Sequence, residues 1–99
     1  MHIPSSVKVG RTRYIIKQVK FAPKADTMGG INYDTRLIYV GRYSRSGRRY
    51  TRKEMYDTFW HELTHAILKD MGNRLEADER FVTAFANRLT DAITTARFE

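Results

Sequence analysis

Apolar and polar positions change period once along this chain, close to Thr51. Before it the apolar residues come in short β-branched and aromatic runs. From Thr12 to Phe21 the residues Tyr14, Ile15, Ile16, Val19 and Phe21 favour a strand, with imperfect alternation. A shorter strand is expected at Val7 to Val9, after an irregular start from Met1 and before the break at Gly10. Ala22 to Gly29, with Pro23, Asp26 and Gly29, reads as loop. Gly30 to Gly41 then carries Ile31, Tyr33, Leu37, Ile38, Tyr39 and Val40, with Asp34 and Thr35 suited to a turn. That stretch predicts a hairpin or one bent strand, and Gly41 to Gly47 a loop.

After Thr51 the spacing becomes helical. Thr51-Arg52-Lys53-Glu54 has the capping-box form, which starts a helix near Arg52. Met55, Phe59, Leu63, Ala66 and Ile67 make its apolar arc, with Trp60 at the margin. Gly72 followed by Asn73 is a stop signal, and Asn73 to Glu76 reads as the next cap. Phe81, Val82, Phe85, Ala86, Leu89 and Ile93 repeat at helical spacing and predict a long second helix. No linker or internal repeat interrupts the pattern. The expected architecture is α+β, a small sheet followed by two helices, in one domain spanning residues 1–99.

Composition narrows the chemistry. With 41% apolar and 12% aromatic residues the chain is of a folded, globular type. No apolar run approaches the ~20 residues of a membrane span, and the first ten residues lack a hydrophobic signal core. A cytoplasmic location without membrane contact is the expectation. The absence of cysteine rules out disulfides, thiolate ligands and a thiol nucleophile, so any metal must be held by His, Asp or Glu. A net charge of +7 favours acidic partners such as nucleic acid, or serves solubility.

Within the first helix lies His61-Glu62-Leu63-Thr64-His65. Residues four apart share a helix face, so His61 and His65 can present both imidazoles to one metal ion. Zn2+ suits that donor set. Glu62, rotated by about 100° from His61, can reach a water at the metal and act as general base in attack on a carbonyl.

A catalytic zinc site commonly uses three protein ligands. The extended motif that places a third histidine after a glycine is excluded, since Leu68 and Met71 stand at those positions. His2 is the one other histidine and sits near the terminus. The remaining candidates are Glu76, Asp78 and Glu79, which a helix folding back after Gly72 would bring alongside the first. Glu79 fits best because it borders the stripe of Val82 and Ala86, whereas Glu76 can serve as a capping partner.

A β-rich segment, His61-Glu62-Leu63-Thr64-His65-Ala66-Ile67-Leu68, a Gly turn and Asp78-Glu79-Arg80-Phe81-Val82 follow in order. In this the chain resembles the minimal gluzincin-type zinc metallopeptidases, or minigluzincins, small single-domain zincins often encoded by phages, prophages or bacteria. More distantly it is similar to ImmA/IrrE-type and SprT-like metalloproteases. The resemblance covers roughly residues 30–90 and implies His61, His65 and Glu79 as zinc ligands and Glu62 as catalytic base. It implies a small twisted, mainly antiparallel sheet packed on the active-site helix. It also implies that the strand around Leu37 to Val40 is an edge, able to hold a peptide or protein substrate as an added strand. The transition-state stabiliser is unmatched, with Tyr33, Tyr39, Tyr43, Tyr50 and Tyr56 as candidates. Some members of the group are latent, their cleft covered by their own chain; Arg97-Phe98-Glu99 could serve so here, and a frayed terminus is the favoured reading.

Arg42, Arg45, Arg48, Arg49, Arg52 and Lys53, interleaved with Tyr43 and Tyr50, form the densest positive stretch. One reading is a nucleic-acid contact within a non-catalytic or latent zinc-binding module. The favoured reading is a solvated loop beside the cleft, because local charge without a recognised binding fold is weak evidence.

Overall fold

A computed structural model describes residues 2–98. Strands β1 (Ser6–Val9), β2 (Thr12–Val19), β3 (Gly29–Asn32) and β4 (Leu37–Gly41) precede helix α1 (Arg52–Asp70). A short 3-10 turn, Arg74–Ala77, then leads into helix α2 (Glu79–Thr95). The fold is α+β, as the change of period predicts.

The sheet runs in the order β1-β2-β4-β3. The outer pairs β1/β2 and β3/β4 are antiparallel, and the central pair β2/β4 is parallel. The mainly antiparallel expectation therefore holds for two pairings of three. The expected edge at Leu37 to Val40 does not: β4 is interior, paired to β2 on one side and to β3 on the other. The reason is the loop between β2 and β3, which carries the chain past the place of β4 before the hairpin turns back to fill it. Asn32 sets that turn, its Oδ1 accepting from the amides of Asp34 at 3.0 Å and Thr35 at 3.1 Å. Arg36 closes it in the left-handed region at φ 59°. The free edge beside the helices is β3.

Alternation then sorts the two faces of the sheet. Val9, Tyr14, Ile16, Ile38 and Val40 point toward α1 and form the core with Tyr50, Met55, Phe59 and Ala66. The opposite face meets no helix. On its far side α1 is packed by α2, through a narrow strip of Val82, Ala86 and Thr90. Because α2 has one neighbouring layer, Phe85 of the predicted stripe stays 46% exposed. Ile67 of α1 is likewise 41% exposed, since the second buried flank of that helix runs through Thr58, Glu62 and His65 instead. The buried hydroxyls of Thr58, Thr64 and Thr90 are satisfied by carbonyls one turn back, at 2.9, 2.7 and 3.0 Å.

Both ends of α1 are fixed locally. Thr51 and Glu54 exchange both bonds of the capping box. At the other end Gly72 adopts φ 65°, and the amides of Gly72 and Asn73 return to the carbonyls of Lys69 and Leu68 in a Schellman arrangement. Among the described residues no helix is long and apolar enough to cross a membrane.

Gly29 governs how closely the edge strand approaches α1. A Cβ there would lie against Thr58 Cγ2 and 2.5 Å from the carbonyl oxygen of Tyr39, with Glu62 Oε2 3.6 Å away. Gly29→Ala should therefore destabilise the protein by about 1–3 kcal/mol, the range for overpacking. Urea unfolding checks this, and a variant within 0.5 kcal/mol of wild type, about the range of neutral surface changes, would contradict the packing account.

Candidate metal centre

Four consecutive features bring the site together. The cap at Thr51 sets the phase of α1, and four-residue spacing places His61 and His65 on one flank. The Gly72 stop reverses the chain, and Asp78 caps α2 by accepting from the Phe81 amide at 3.0 Å. Glu79, the first residue of α2, then faces both histidines.

Its carboxylate spans the two rings. Glu79 Oε2 lies 3.0 Å from His61 Nε2, and Oε1 lies 2.8 Å from His65 Nε2. One donor atom from each of the three residues falls within 4.8 Å of the other two. Zinc bonds of ~2.0–2.1 Å at tetrahedral angles call for donors roughly 3.3 Å apart, so each Glu79 contact falls a few tenths of an ångström short of that spacing and the trio is a candidate to hold an ion.

The tautomer of His65 sharpens this. Its Nδ1 lies 2.8 Å from the backbone carbonyl oxygen of Glu76, an acceptor, so that ring nitrogen carries the proton and donates. Nε2 then offers a lone pair toward a carboxylate oxygen. Two lone-pair atoms at 2.8 Å repel unless a proton or a cation lies between them. The arrangement is that of a metal-ligating histidine whose second nitrogen is oriented by a carbonyl. Burial holds His61 below the ordinary imidazole value, opposed by the charge of Glu79, which favours the neutral ring a metal needs.

Glu62 is 8% exposed and reaches the same cleft, a cavity of about 840 Å³ between β3 and the two helices. Burial first, and then the charge of Glu79, push its carboxyl up to about 7.

Glu76, Asp78 and His2 are not part of that trio, although Glu76 Oε1 lies 3.6 Å from His65 Nδ1. Glu76 Oε1 accepts from the Tyr33 hydroxyl at 2.7 Å, so its carboxylate braces the 3-10 turn against the sheet. Asp78 serves as the cap of α2, and Asn73 caps the 3-10 turn by accepting from the Leu75 amide at 2.9 Å. His2 lines a separate cavity with Tyr50, Arg52 and Tyr56. Of the five tyrosines considered, Tyr39 alone borders the cleft, and alternation with Ile38 and Val40 turns its side chain to the face away from α1; Tyr33 is bound to Glu76 and Tyr43 to Arg49. Arg97 and Phe98 are exposed and line no part of the cleft, and Glu99 lies outside the described residues.

The arginine-rich stretch is largely turned inward on the protein's own groups. Arg48 pairs with Glu54 at 2.9 Å, and Lys53 with Asp57 and Asp91 at 3.2 and 3.4 Å. Arg42 and Arg45 donate to the carbonyls of Gln18 and Ala22, and Arg49 donates to the Tyr43 hydroxyl. Only Arg52 of the six makes no such contact among the described residues.

The contact of Tyr33 with Glu76 was not readable from sequence, since it joins residues 43 apart across two elements. Thr83 and Asn87, which also line the cleft, were readable: they follow Glu79 at helical spacing on the same face. Compared with known protein families, with curated proteins and with solved structures, the chain matches none.

Two outcomes follow from this geometry. Tyr33→Phe frees the Glu76 side chain that steadies the His65 acceptor, and should weaken zinc binding about tenfold in competition with a chromophoric chelator. In metal-free protein the folded state holds the Glu62 proton up to about 7, against 4.5 for the ordinary group. The stability that proton confers is complete below pH 4.5 and is lost as pH rises through 7. Metal-free Glu62→Gln should then melt higher than wild type at pH 8 and converge with it near pH 4, as followed by circular dichroism.

Proposed function

We propose that the chain is a zinc-dependent metallopeptidase that hydrolyses peptide bonds, akin to the minimal gluzincins it resembles. The observation that carries this reading is the convergence of His61, His65 and Glu79 beside a buried Glu62 on one wall of an open cleft. His61 and His65 hold Zn2+ through Nε2 and Glu79 through its carboxylate. The bound ion supplies an acidified water and a polarised carbonyl.

The chain's own groups do the rest. Glu62, inside the cleft and shielded from bulk water, accepts the proton of the attacking water and delivers it to the amine that leaves. The carbonyl of Glu76 keeps His65 in the ligating tautomer. β3 has no strand on its outer side and borders the cleft, so an extended substrate pairs with its backbone; Gly30, with open space around its Cα, leaves room for side chains there. That role passes to β3 from the strand around Leu37 to Val40.

The test combines metal analysis with hydrolysis of a peptide library. Purified protein should carry one zinc per chain, lost in His61→Ala and weakened in Glu79→Ala. Glu62→Gln should retain zinc and lose hydrolysis by at least about a hundredfold. Zinc at full stoichiometry with no cleavage by wild type would favour a non-catalytic or latent zinc module. Equal zinc in wild type and His61→Ala would remove the metal reading altogether.

A further inference from the structure

The face of the sheet turned away from α1 is the largest feature that the metal centre leaves unexplained. Strand pairing places Lys8 opposite Arg13, Ile15 between Ser6 and Leu37, and Lys17 opposite Tyr39 on this face. Gly30 and Asn32 complete it on β3. Lys8, Arg13 and Lys17 are exposed, Ile15 is 44% exposed, and no carboxylate stands among these positions. The bias extends along the chain: residues 1–24 hold six lysines and arginines and no acidic residue.

Two details make this more than a solvated surface. Lys8 and Arg13 are direct cross-strand partners, and like charges so placed cost stability. Neither forms an ion pair among the described residues; Arg13 donates only to the Ser6 hydroxyl at 3.1 Å. By contrast, the arginines of the 42–53 stretch are mostly held by the protein's own groups. Unlike Arg48 and Lys53 of that stretch, the three cations on the sheet pair with none of the protein's own carboxylates and stand open to an outside anion.

We propose that this open face binds single-stranded nucleic acid. Arg13 and Lys17 stand about 13 Å apart along β2, with Ile15 between them and Leu37 and Tyr39 alongside on β4. An apolar and aromatic platform flanked by cations meets the two demands of a single strand, whose bases stack while its phosphates need positive charge. A duplex fits less well, since the major groove admits a helix or a two-stranded ribbon and not the width of a four-stranded sheet. The surface is separate from the metal ligands, and the inference stands whether or not the cleft hydrolyses peptides.

The experiment is fluorescence anisotropy of a labelled 20-nucleotide oligo-dT titrated with the full chain at 50 and 200 mM salt. Binding should weaken with salt at a logarithmic slope of about −2, the value for three phosphate contacts on a single strand. The charge-reversal triple Lys8→Glu, Arg13→Glu, Lys17→Glu lies at exposed positions, and its folding is checked by circular dichroism. It should bind at least tenfold more weakly, while Arg49→Glu with Arg52→Glu should stay within about threefold of wild type. No binding at 50 mM salt overturns the proposal. So does loss of binding confined to the Arg49 and Arg52 variant, which would return the contact to the loop. Preference for vesicles of anionic phospholipid over the oligonucleotide, abolished by the same triple, would assign the face to a lipid surface and overturn it as well.

Discussion

His65 donates a hydrogen bond of 2.8 Å from Nδ1 to the carbonyl of Glu76, and through that bond α1 is tied to the turn that reverses the chain. The turn is itself tied to the sheet, by Tyr33 on the Glu76 side chain. Sheet, helix and return helix thus meet at one residue. The ring cannot rotate without breaking the bond, and the turn cannot shift without losing the acceptor, so Nε2 remains aimed where Glu79 arrives. In a chain with a small core, such fixed polar contacts place a side chain more finely than apolar packing does, because packing tolerates sliding and a hydrogen bond of this length does not.

The same economy shapes α1, which is buried on two flanks. One flank is apolar and meets the sheet through Met55, Phe59 and Ala66; the other carries Thr58, Glu62 and His65 toward α2 and the cleft. Polar groups are tolerated there because each has a use or a partner: Thr58 bonds to Glu54, and His65 to Glu76. Glu62 is the exception, a carboxylate with no protein hydrogen bond in a mostly buried position, and its proton affinity rises accordingly. An unpaired buried carboxyl costs stability in a core this thin, which marks Glu62 as a candidate for function.

Charge is distributed with equal asymmetry. Ten of the eleven acidic residues fall between Asp26 and Asp91, near the helices, the turns and the metal cleft, and the first strands carry none. Cations are also numerous in that span, so what sets the first strands apart is the absence of any carboxylate beside their lysines and arginines.

The sequence by itself determined what depends on neighbours a few residues apart. The capping box at Thr51, the stop at Gly72, the phase of His61 and His65 and the turn at Asp34 are local, and each was legible because its bonds close within one or two turns of chain. Even Glu79 was favoured from sequence, since a short turn between two helices leaves few places for the second to begin. Only the tertiary structure grouped Glu79 with the two histidines and set the Glu76 carboxylate against Tyr33, which reaches across from the sheet. It alone made β3 the edge and β4 an interior strand, since strand order follows from where a long loop lands and not from alternation within either strand. It also showed which cations are spent, for a lysine or arginine reads the same in sequence whether it faces solvent or a carbonyl.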